Sequence, residues 1–330
     1  MALRPEELAR RVCAGERRAL AQALNLLDDS RLASRQLAGA LLAHLREQAP
    51  FPKGRLIGIT GPPGAGKSSL SAALIRHWRQ QGLTVAVLAV DPSSPITGGA
   101  LLGDRLRMKT SAEDDGVFVR SLACRGEFGG LSAEVWPMSL VMLAAFDITL
   151  IETVGVGQRE IDVSCMCDTT CYVAQPGSGD SVQFLKAGIL EVPQVLVVNK
   201  EDMGAVARRT LSELGAALYR QQAEGEWAVP VLSASATRGT GIEALANALE
   251  HHHQYLQRNG ALAAHRQRYQ AEWIFKRLRD EFGSFGVDRL GGEKQLRANL
   301  VTDDGPLYTQ LESFREKIFK QHIRQVKTRS

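Results

Sequence analysis

Residues 61–68 have the types and spacing of a phosphate-binding segment, since they read Gly-Pro-Pro-Gly-Ala-Gly-Lys-Ser. An apolar stretch precedes the segment and a helix-forming stretch follows it. The glycines allow backbone conformations that residues with a Cβ rarely adopt, so several N–H groups can point at one anion. The following helix adds the positive end of its dipole. We therefore predict a phosphate-binding loop rather than a turn that only joins a strand to a helix.

Two polar side chains of this loop have predicted roles in nucleotide chemistry. The Lys67 ammonium is expected to bridge the β- and γ-phosphates and to take part in hydrolysis, and the Ser68 hydroxyl is expected to bind Mg²⁺. The loop alone does not distinguish ATP from GTP. The residues predicted to contact the nucleotide here are Gly61, Pro62, Pro63, Gly64, Ala65, Gly66, Lys67, Ser68 and Ser69.

A second segment indicates the base. Asn199, Lys200 and Asp202 directly follow an apolar strand candidate, at its carboxyl end. The Asp202 carboxylate can accept hydrogen bonds from N1–H and the exocyclic amine of guanine. Adenine would leave that carboxylate unpaired, a penalty of about 1–3 kcal/mol. With the main chain of Ser235 and Ala236 supporting the guanine oxygen, the sequence predicts binding of GTP and GDP.

Carboxylates after other strand candidates predict the metal site. Glu152 ends one strand and begins Glu-Thr-Val-Gly, a switch motif with Glu in place of the usual Asp. Its carboxylate can hold Mg²⁺ directly or through water, and the Gly155 N–H can contact the γ-phosphate. Asp91 and Asp104 are two further candidate ligands, with loop caps and turns as the alternative for each.

The usual water-orienting glutamine does not stand in its expected place. Other GTP-hydrolysing switches place a glutamine directly after the switch glycine, whereas this chain has Val156 there. We therefore predict slow intrinsic hydrolysis, completed by Gln158 or by a group from another segment or a partner.

Composition excludes several classes of protein. The chain has 330 residues, is 44% apolar and carries a net charge of +4 spread over both signs. It shows no dense basic stripe, no apolar run of about 18 residues and no apolar core near its beginning. We expect a cytoplasmic protein that binds neither nucleic acid nor membranes.

Neither the cysteines nor the histidines predict a metal site. Cys165, Cys167 and Cys171 lack a usual zinc spacing, so we expect small buried thiols. The consecutive residues 251–253 are all histidine. On a helix they would point about 100° apart, which favours a polar helix face over a shared ion.

The apolar pattern divides the chain into three parts: a helical extension at 1–53, an α/β nucleotide-binding domain at 54–250 and a helical region at 251–330. In the middle part, short apolar runs alternate with helix-length segments, which predicts a doubly wound, mostly parallel sheet. Breaks in the first helical part are expected near Gly15 and at Asp28 and Asp29. The strand candidates are 56–59, 85–90, 117–119, 148–151, 172–174, 195–198 and 229–232.

Large apolar residues recur along the last helix, and such a stripe needs a cover. The chain's own core and a partner subunit are both open possibilities. The positions are Leu307, Leu311, Phe314, Ile318, Phe319 and Ile323.

Two segments together resemble a known family. The stretch from Asp91 through Pro-Ser-Ser-Pro-Ile-Thr-Gly-Gly-Ala-Leu-Leu-Gly to Asp104, with Glu152-Thr-Val-Gly-Val-Gly-Gln158, is similar to the MeaB/ArgK GTPases. These are chaperones of adenosylcobalamin-dependent methylmalonyl-CoA mutase. The resemblance spans about residues 55–245 through four ordered motifs.

The resemblance implies a homodimer that gates adenosylcobalamin loading from an adenosyltransferase into the mutase and helps to exchange damaged cofactor. It implies that Asp91, Asp104 and Glu152 shape the Mg²⁺ site. It also implies an additional switch at 175–186, with Asp180 and Lys186 at its charged positions, and a C-terminal dimerisation arm.

Several positions depart from the family pattern, including Arg120–Gly130, Cys165–Asp168 and Ser181–Phe184. They leave open a related partner, such as an isobutyryl- or 2-hydroxyisobutyryl-CoA mutase. Two other classes are a nickel-delivery GTPase, which the cysteine spacing disfavours, and a small-molecule kinase, which Asp202 disfavours because it predicts guanine.

Overall fold

The computed structural model describes residues 4–29, 31–49, 54–92, 114–124, 134–153, 166–177, 193–219 and 227–329. The described residues form ten α-helices and seven strands. They group into two compact units. One takes in Met1–Pro52, Trp136–Ala145 and Ala263–Ser330, and the other takes in Lys53–Val135 and Phe146–Leu262.

The second unit is built on one parallel sheet, in which every described strand pair runs in the same direction. The strand order is β3-β2-β4-β1-β5-β6-β7. The strands are β1 (Arg55–Thr60), β2 (Val85–Pro92), β3 (Val117–Cys124), β4 (Ile148–Thr153), β5 (Thr169–Ala174), β6 (Val195–Val198) and β7 (Val231–Ser233). The predicted doubly wound fold is confirmed, although β7 begins two residues later than its apolar run.

Helices cover both faces of this sheet, and the side-chain alternation of the strands divides the core accordingly. Ile57 and Val197 belong to a buried cluster with residues of α4 (Lys67–Gln80) and α7 (Ile242–Arg258). Their chain neighbours, such as Leu196, point the other way and pack with α6 (Ala205–Tyr219). This double cover explains why the strands read as nearly continuous apolar runs.

The first unit contains helices from both ends of the chain. The predicted breaks are confirmed, because Gly15 lies between the first two helices and the second helix ends at Asp28, directly before Asp29. Asp29 accepts hydrogen bonds from the Arg31 N–H (3.0 Å) and the Ser34 hydroxyl (2.8 Å), which fixes the start of α3. The helices are α1 (Pro5–Cys13), α2 (Arg17–Asp28), α3 (Leu32–Gln48), α5 (Val135–Ala145), α8 (Ala261–Arg289), α9 (Gly292–Thr302) and α10 (Leu307–Arg329).

The apolar stripe of α10 is covered within its own unit. Leu307, Leu311, Phe314 and Ile318 are all buried, whereas Phe319 is 55% exposed. Helices α3 and α10 approach so closely that a Cβ on Gly39 would lie 3.2 Å from the Tyr308 Cβ. Intrachain packing therefore accounts for most of the stripe, and the stripe alone does not call for a partner subunit. Ile323 lies among residues whose side chains are not described.

The histidine prediction is wrong for two of the three residues. His251 is exposed, but His252 and His253 are buried. The His252 ring lies 2.7 Å (Nδ1) from the Thr169 hydroxyl and packs edge-on against Trp227. Helix α7 crosses the sheet there, so consecutive polar residues on it face the core.

The cysteine prediction is confirmed where it can be followed. Cys167 and Cys171 are buried, and burial raises the pKa of the Cys171 thiol to about 12. A thiol with so high a pKa stays protonated and is a poor metal ligand. Cys165 lies outside the described residues. None of the helices in the described ranges has the length and apolar character needed to cross a membrane.

Candidate functional site

The predicted phosphate-binding loop joins β1 to α4 at the carboxyl edge of the sheet. Two positions of the loop require glycine, both because their φ is positive and because a Cβ would clash with a neighbouring atom. A Cβ on Gly61 (φ 138°) would lie 2.3 Å from the Val173 carbonyl oxygen, and one on Gly66 (φ 88°) would lie 2.5 Å from the Asn199 amide nitrogen. The loop is therefore wedged between β5 and the segment that follows β6.

Lys67 lies at the first position of α4 and is only 6% exposed. Its ammonium donates hydrogen bonds to the carbonyl oxygens of Gly61 (2.6 Å) and Pro62 (3.0 Å). The positive charge is thus held over the loop, where the N–H groups at the beginning of α4 also lie. Both features favour an anion at this place.

Ser68 and Glu152 meet at the same end of the sheet. The Ser68 hydroxyl donates a hydrogen bond of 2.5 Å to Glu152 Oε1. Glu152 is brought there by β4, which pairs with β1 so that Glu152 lies opposite Ile59. The carboxylate is 4% exposed. A hydroxyl and a carboxylate side by side are the oxygen donors that Mg²⁺ prefers, so these two residues fit the predicted metal.

Asn199, directly after β6, connects the phosphate loop to the end of β5 and to the segment after β7. Its side-chain amide donates to the Ala65 carbonyl oxygen (2.8 Å) and accepts from the Ala236 N–H (3.3 Å). Its own N–H donates to the Ala174 carbonyl oxygen (3.2 Å). The side chain is buried and so acts as a fixed link between three loops.

Lys200, the next residue of this segment, also binds the phosphate loop. Its ammonium donates to the Gly64 carbonyl oxygen over 2.6 Å. Lys200 has φ 60°, and it is the one non-glycine residue with positive φ in the part of the chain that the structure describes. This left-handed conformation turns the chain sharply before Asp202 and is unusual for lysine.

Asp202 is exposed, yet its carboxylate has a defined partner. The buried Ser235 hydroxyl donates to Asp202 Oδ1 over 2.6 Å. This hydrogen bond is the main cause that holds the pKa of Asp202 below its usual value of 3.8. The carboxylate is therefore ionised at neutral pH, as an acceptor of two guanine hydrogen bonds must be.

Most of the predicted site residues thus converge on one edge of the sheet. Ser69 is on the exposed side of the first turn of α4, and Pro63 is exposed on the loop. The main chain of Asp91 lies in β2, opposite Ala123, while its side chain is not described. Asp104, Gly155, Gln158, Asp180 and Lys186 lie outside the described residues. The described residues contain no group of three or more His, Cys, Asp or Glu side chains that could hold a metal ion.

Two contacts at this edge were not foreseen from the sequence. Glu201 Oε2 accepts a hydrogen bond of 3.0 Å from the Thr240 hydroxyl. Gln175 follows β5, and its side-chain oxygen would lie 3.3 Å from a Cβ on Gly64. The sequence does contain a signal for Gln175, because this polar residue directly follows the apolar run of β5 at the carboxyl edge of the sheet. Thr240 had none, because 39 residues separate it from Glu201.

The sequence and the fold of the chain are similar to those of known proteins. The family described as methylmalonyl Co-A mutase-associated GTPase MeaB matches residues 20–285. A putative GTPase of Pyrococcus abyssi is 41% identical over 269 residues, which is 80% of each chain. GTPase ArgK of Escherichia coli is 36% identical over 281 residues, covering 83% of this chain and 84% of that protein. The crystal structure of a LAO/AO transport system kinase is similar with a TM-score of 0.67 and 27% identity, covering 94% of this chain and 97% of the other.

Proposed function

The chain belongs to the methylmalonyl Co-A mutase-associated GTPase family MeaB, and from that premise we propose that it is a nucleotide-dependent chaperone of an acyl-CoA mutase. It is a GTPase. In the proposed role it gates adenosylcobalamin loading into an adenosylcobalamin-dependent acyl-CoA mutase, most simply methylmalonyl-CoA mutase, and protects or reactivates that enzyme. The nucleotide part of the proposal is carried by the convergence of Lys67, the Ser68–Glu152 pair and the Asn199–Asp202 segment on one edge of the sheet, and the mutase part by the family match.

Binding of the triphosphate follows from the loop geometry. On nucleotide binding, the Lys67 ammonium exchanges its carbonyl partners, Gly61 and Pro62, for the more strongly charged β- and γ-phosphate oxygens. Ser68 and Glu152 would hold Mg²⁺, which when bound neutralises developing charge on the β- and γ-oxygens. Catalysis here consists of positioning and electrostatic stabilisation rather than covalent chemistry.

Selection of guanine rests on Asp202 and its neighbours. The ionised Asp202 would accept from N1–H and the exocyclic amine. The guanine oxygen would accept from the main-chain N–H of Ser235 or Ala236, whose present acceptors are the Thr240 carbonyl oxygen (3.0 Å) and the Asn199 side-chain oxygen (3.3 Å). Asn199 keeps the base-binding and phosphate-binding loops at a fixed separation.

The remaining roles rest on the family resemblance. We assign Gly155 to the γ-phosphate, Asp91 and Asp104 to the metal, and Gln158, Asp180 and Lys186 to the completion of the site. Intrinsic hydrolysis would be slow and stimulated by the mutase. A homodimer, a cytoplasmic location, delivery from an adenosyltransferase and the three-part domain division are parts of the same proposal.

A pull-down tests the chaperone role. Immobilised protein is loaded with GDP or with a slowly hydrolysed GTP analogue and mixed with purified methylmalonyl-, isobutyryl- and 2-hydroxyisobutyryl-CoA mutases. We expect one mutase to be retained, with an amount that differs between the two nucleotides. Retention of none of the three in either state would contradict the proposal.

The variant Asp202→Asn is the matched control for that experiment. Because an amide in place of the carboxylate favours xanthine over guanine, its retention of the mutase should respond to xanthosine nucleotides and not to guanosine nucleotides. A nucleotide response that ignores this exchange would mean that the effect does not arise at this site.

A further inference from the structure

Two neighbouring carboxylates bind the same loop, residues 235–240. Asp202 accepts from the Ser235 hydroxyl (2.6 Å), and Glu201 accepts from the Thr240 hydroxyl (3.0 Å). Between them, the Glu201 N–H donates to the Ala234 carbonyl oxygen (3.0 Å). The segment that carries Asp202 is therefore attached to the loop by two side chains, and its main chain is attached to Ala234, directly before the loop.

The two ends of loop 235–240 are hydrogen-bonded to each other, so a contact that fixes one end also restrains the other. The Ser235 N–H donates to the Thr240 carbonyl oxygen (3.0 Å), and the Gly239 N–H donates to the Ser235 carbonyl oxygen (2.8 Å). Ser235 and Thr240 are thus cross-bridged. Holding Thr240 also holds Ser235, which is the partner of Asp202.

The segment that carries Asp202 needs such support. Lys200 lies in the left-handed region (φ 60°), and a single 3₁₀ turn, Glu201–Met203, follows it. Short 3₁₀ turns have poor hydrogen-bond geometry, and a non-glycine residue at positive φ adds strain. Asp202 itself is exposed, so packing does little to fix its position.

We propose that the Glu201–Thr240 hydrogen bond is a positioning contact that sets the selectivity of this site for guanine. It rests on the proposed guanine site and adds to it a pair that does not itself contact the base. The pair fixes Asp202 relative to loop 235–240. Asp202 can then accept from N1–H and the exocyclic amine at the same time. Two simultaneous hydrogen bonds restrict the position and orientation of the carboxylate more than one hydrogen bond does.

Thr240 offers a matched pair of variants. Thr240→Val removes the hydroxyl at nearly constant shape and keeps the carbonyl oxygen that Ser235 uses, whereas Thr240→Ser keeps the hydroxyl. Each protein is preloaded with GDP or IDP, and the release of that nucleotide is followed as uptake of an excess of a fluorescent nucleotide analogue. IDP lacks the exocyclic amine and so makes one hydrogen bond fewer to Asp202.

We expect Thr240→Val to release GDP about three- to tenfold faster than the wild type, with a much smaller change for IDP. Thr240→Ser should behave as the wild type. Glu201→Ala should reproduce the valine variant, and the double variant should be no faster than either single one, because both remove the same bond. The melting temperature should stay unchanged, since both side chains are exposed.

Each outcome bears on the inference separately from the proposed function. A wild type that binds no GDP would contradict the guanine site itself. If the wild type binds GDP and Thr240→Val leaves the GDP-to-IDP ratio unchanged, the positioning role is wrong. Equal acceleration for both nucleotides, or additive effects in the double variant, would show that the pair stabilises the loop without setting selectivity.

Discussion

At the scale of single residues, charge and hydrogen bonding decide which ligand fits. Asp202 is exposed and ionised, and the hydrogen bond from the Ser235 hydroxyl lowers its pKa further. Glu152 is buried but paired with the Ser68 hydroxyl. One carboxylate is placed to recognise a base and the other to hold a cation. The sequence indicates both because each follows an apolar strand, yet it gives no sign of which hydroxyl each would meet.

Replacing Asp202 with asparagine tests the base reader. The amide keeps one oxygen to accept from N1–H but would present a donor to the exocyclic amine of guanine, where xanthine has a carbonyl oxygen instead. We therefore expect GTP affinity to fall about 10- to 100-fold and xanthosine triphosphate affinity to rise. Titration calorimetry with both nucleotides measures the exchange. An unchanged preference for GTP would remove Asp202 from the base site.

The pKa of Asp202 gives a pH prediction. The pKa of Asp202 in the folded protein lies below its usual value. The contribution of the ionised carboxylate is therefore complete at any pH above the usual pKa, and it is lost only as the pH falls through the lowered pKa. The ratio of GDP to IDP affinity should therefore be nearly constant from about pH 5 to 8 at fixed Mg²⁺, because both nucleotides carry the same titrating phosphate. A ratio that falls around pH 6 would show that another group controls the base site.

Replacing Glu152 with glutamine tests the metal site. Glutamine has the same size and can still accept from the Ser68 hydroxyl, but it carries no charge. We expect about tenfold more Mg²⁺ to be needed for tight GTP binding, while GDP binding without Mg²⁺ stays as in the wild type. Equal Mg²⁺ dependence in variant and wild type would place the ion elsewhere.

At the scale of elements, the strands position the site by register. Pairing of β1 with β4 brings Glu152 beside the phosphate loop, and pairing of β5 with β6 brings Asn199 to it. The apolar runs predict these strands well, because strands buried on both faces have few polar residues. They do not predict strand order, which depends on contacts between residues far apart in the sequence.

Gly61 offers a test at this scale, with Gly82 as its control. Both have positive φ, but a Cβ on Gly61 would meet the Val173 carbonyl oxygen at 2.3 Å, whereas one on Gly82 would meet nothing within 4 Å. Gly82→Ala should lower the free energy of unfolding by about 1–2 kcal/mol through backbone strain alone. Gly61→Ala should lower it by about 3 kcal/mol or more and weaken nucleotide binding.

Denaturant unfolding of the two variants measures that difference. Equal destabilisation would show that β5 can move aside for the added methyl group. The loop would then not be wedged, and its conformation would depend on the glycines alone.

At the scale of the whole molecule, the sequence proved a poor guide to which polar and apolar residues are covered. His252 and His253 look like a polar helix face in isolation, but α7 lies over the sheet and buries them. The stripe of α10 left open whether the chain's own core or a partner subunit covers it, and its own unit covers most of it. Both cases have one cause, since the periodicity of a helix shows which of its residues are alike and not what lies against them.

The proposed homodimer therefore does not rest on the buried part of that stripe. Light scattering during size-exclusion chromatography should give a mass twice that of one chain. Phe319→Ser, at an exposed position of α10, provides a comparison, because it removes apolar surface without opening the core. A monomeric mass for the wild type at micromolar concentration would contradict the dimer and leave the nucleotide site unaffected.

The central claim is that one site binds a guanine nucleotide triphosphate. Titration calorimetry of the wild type with GTP and Mg²⁺, beside an identical titration with ATP, tests it most directly. We predict saturable heat for GTP with one site per chain and no measurable heat for ATP. An absence of heat with GTP, or equal binding of ATP, would contradict the claim.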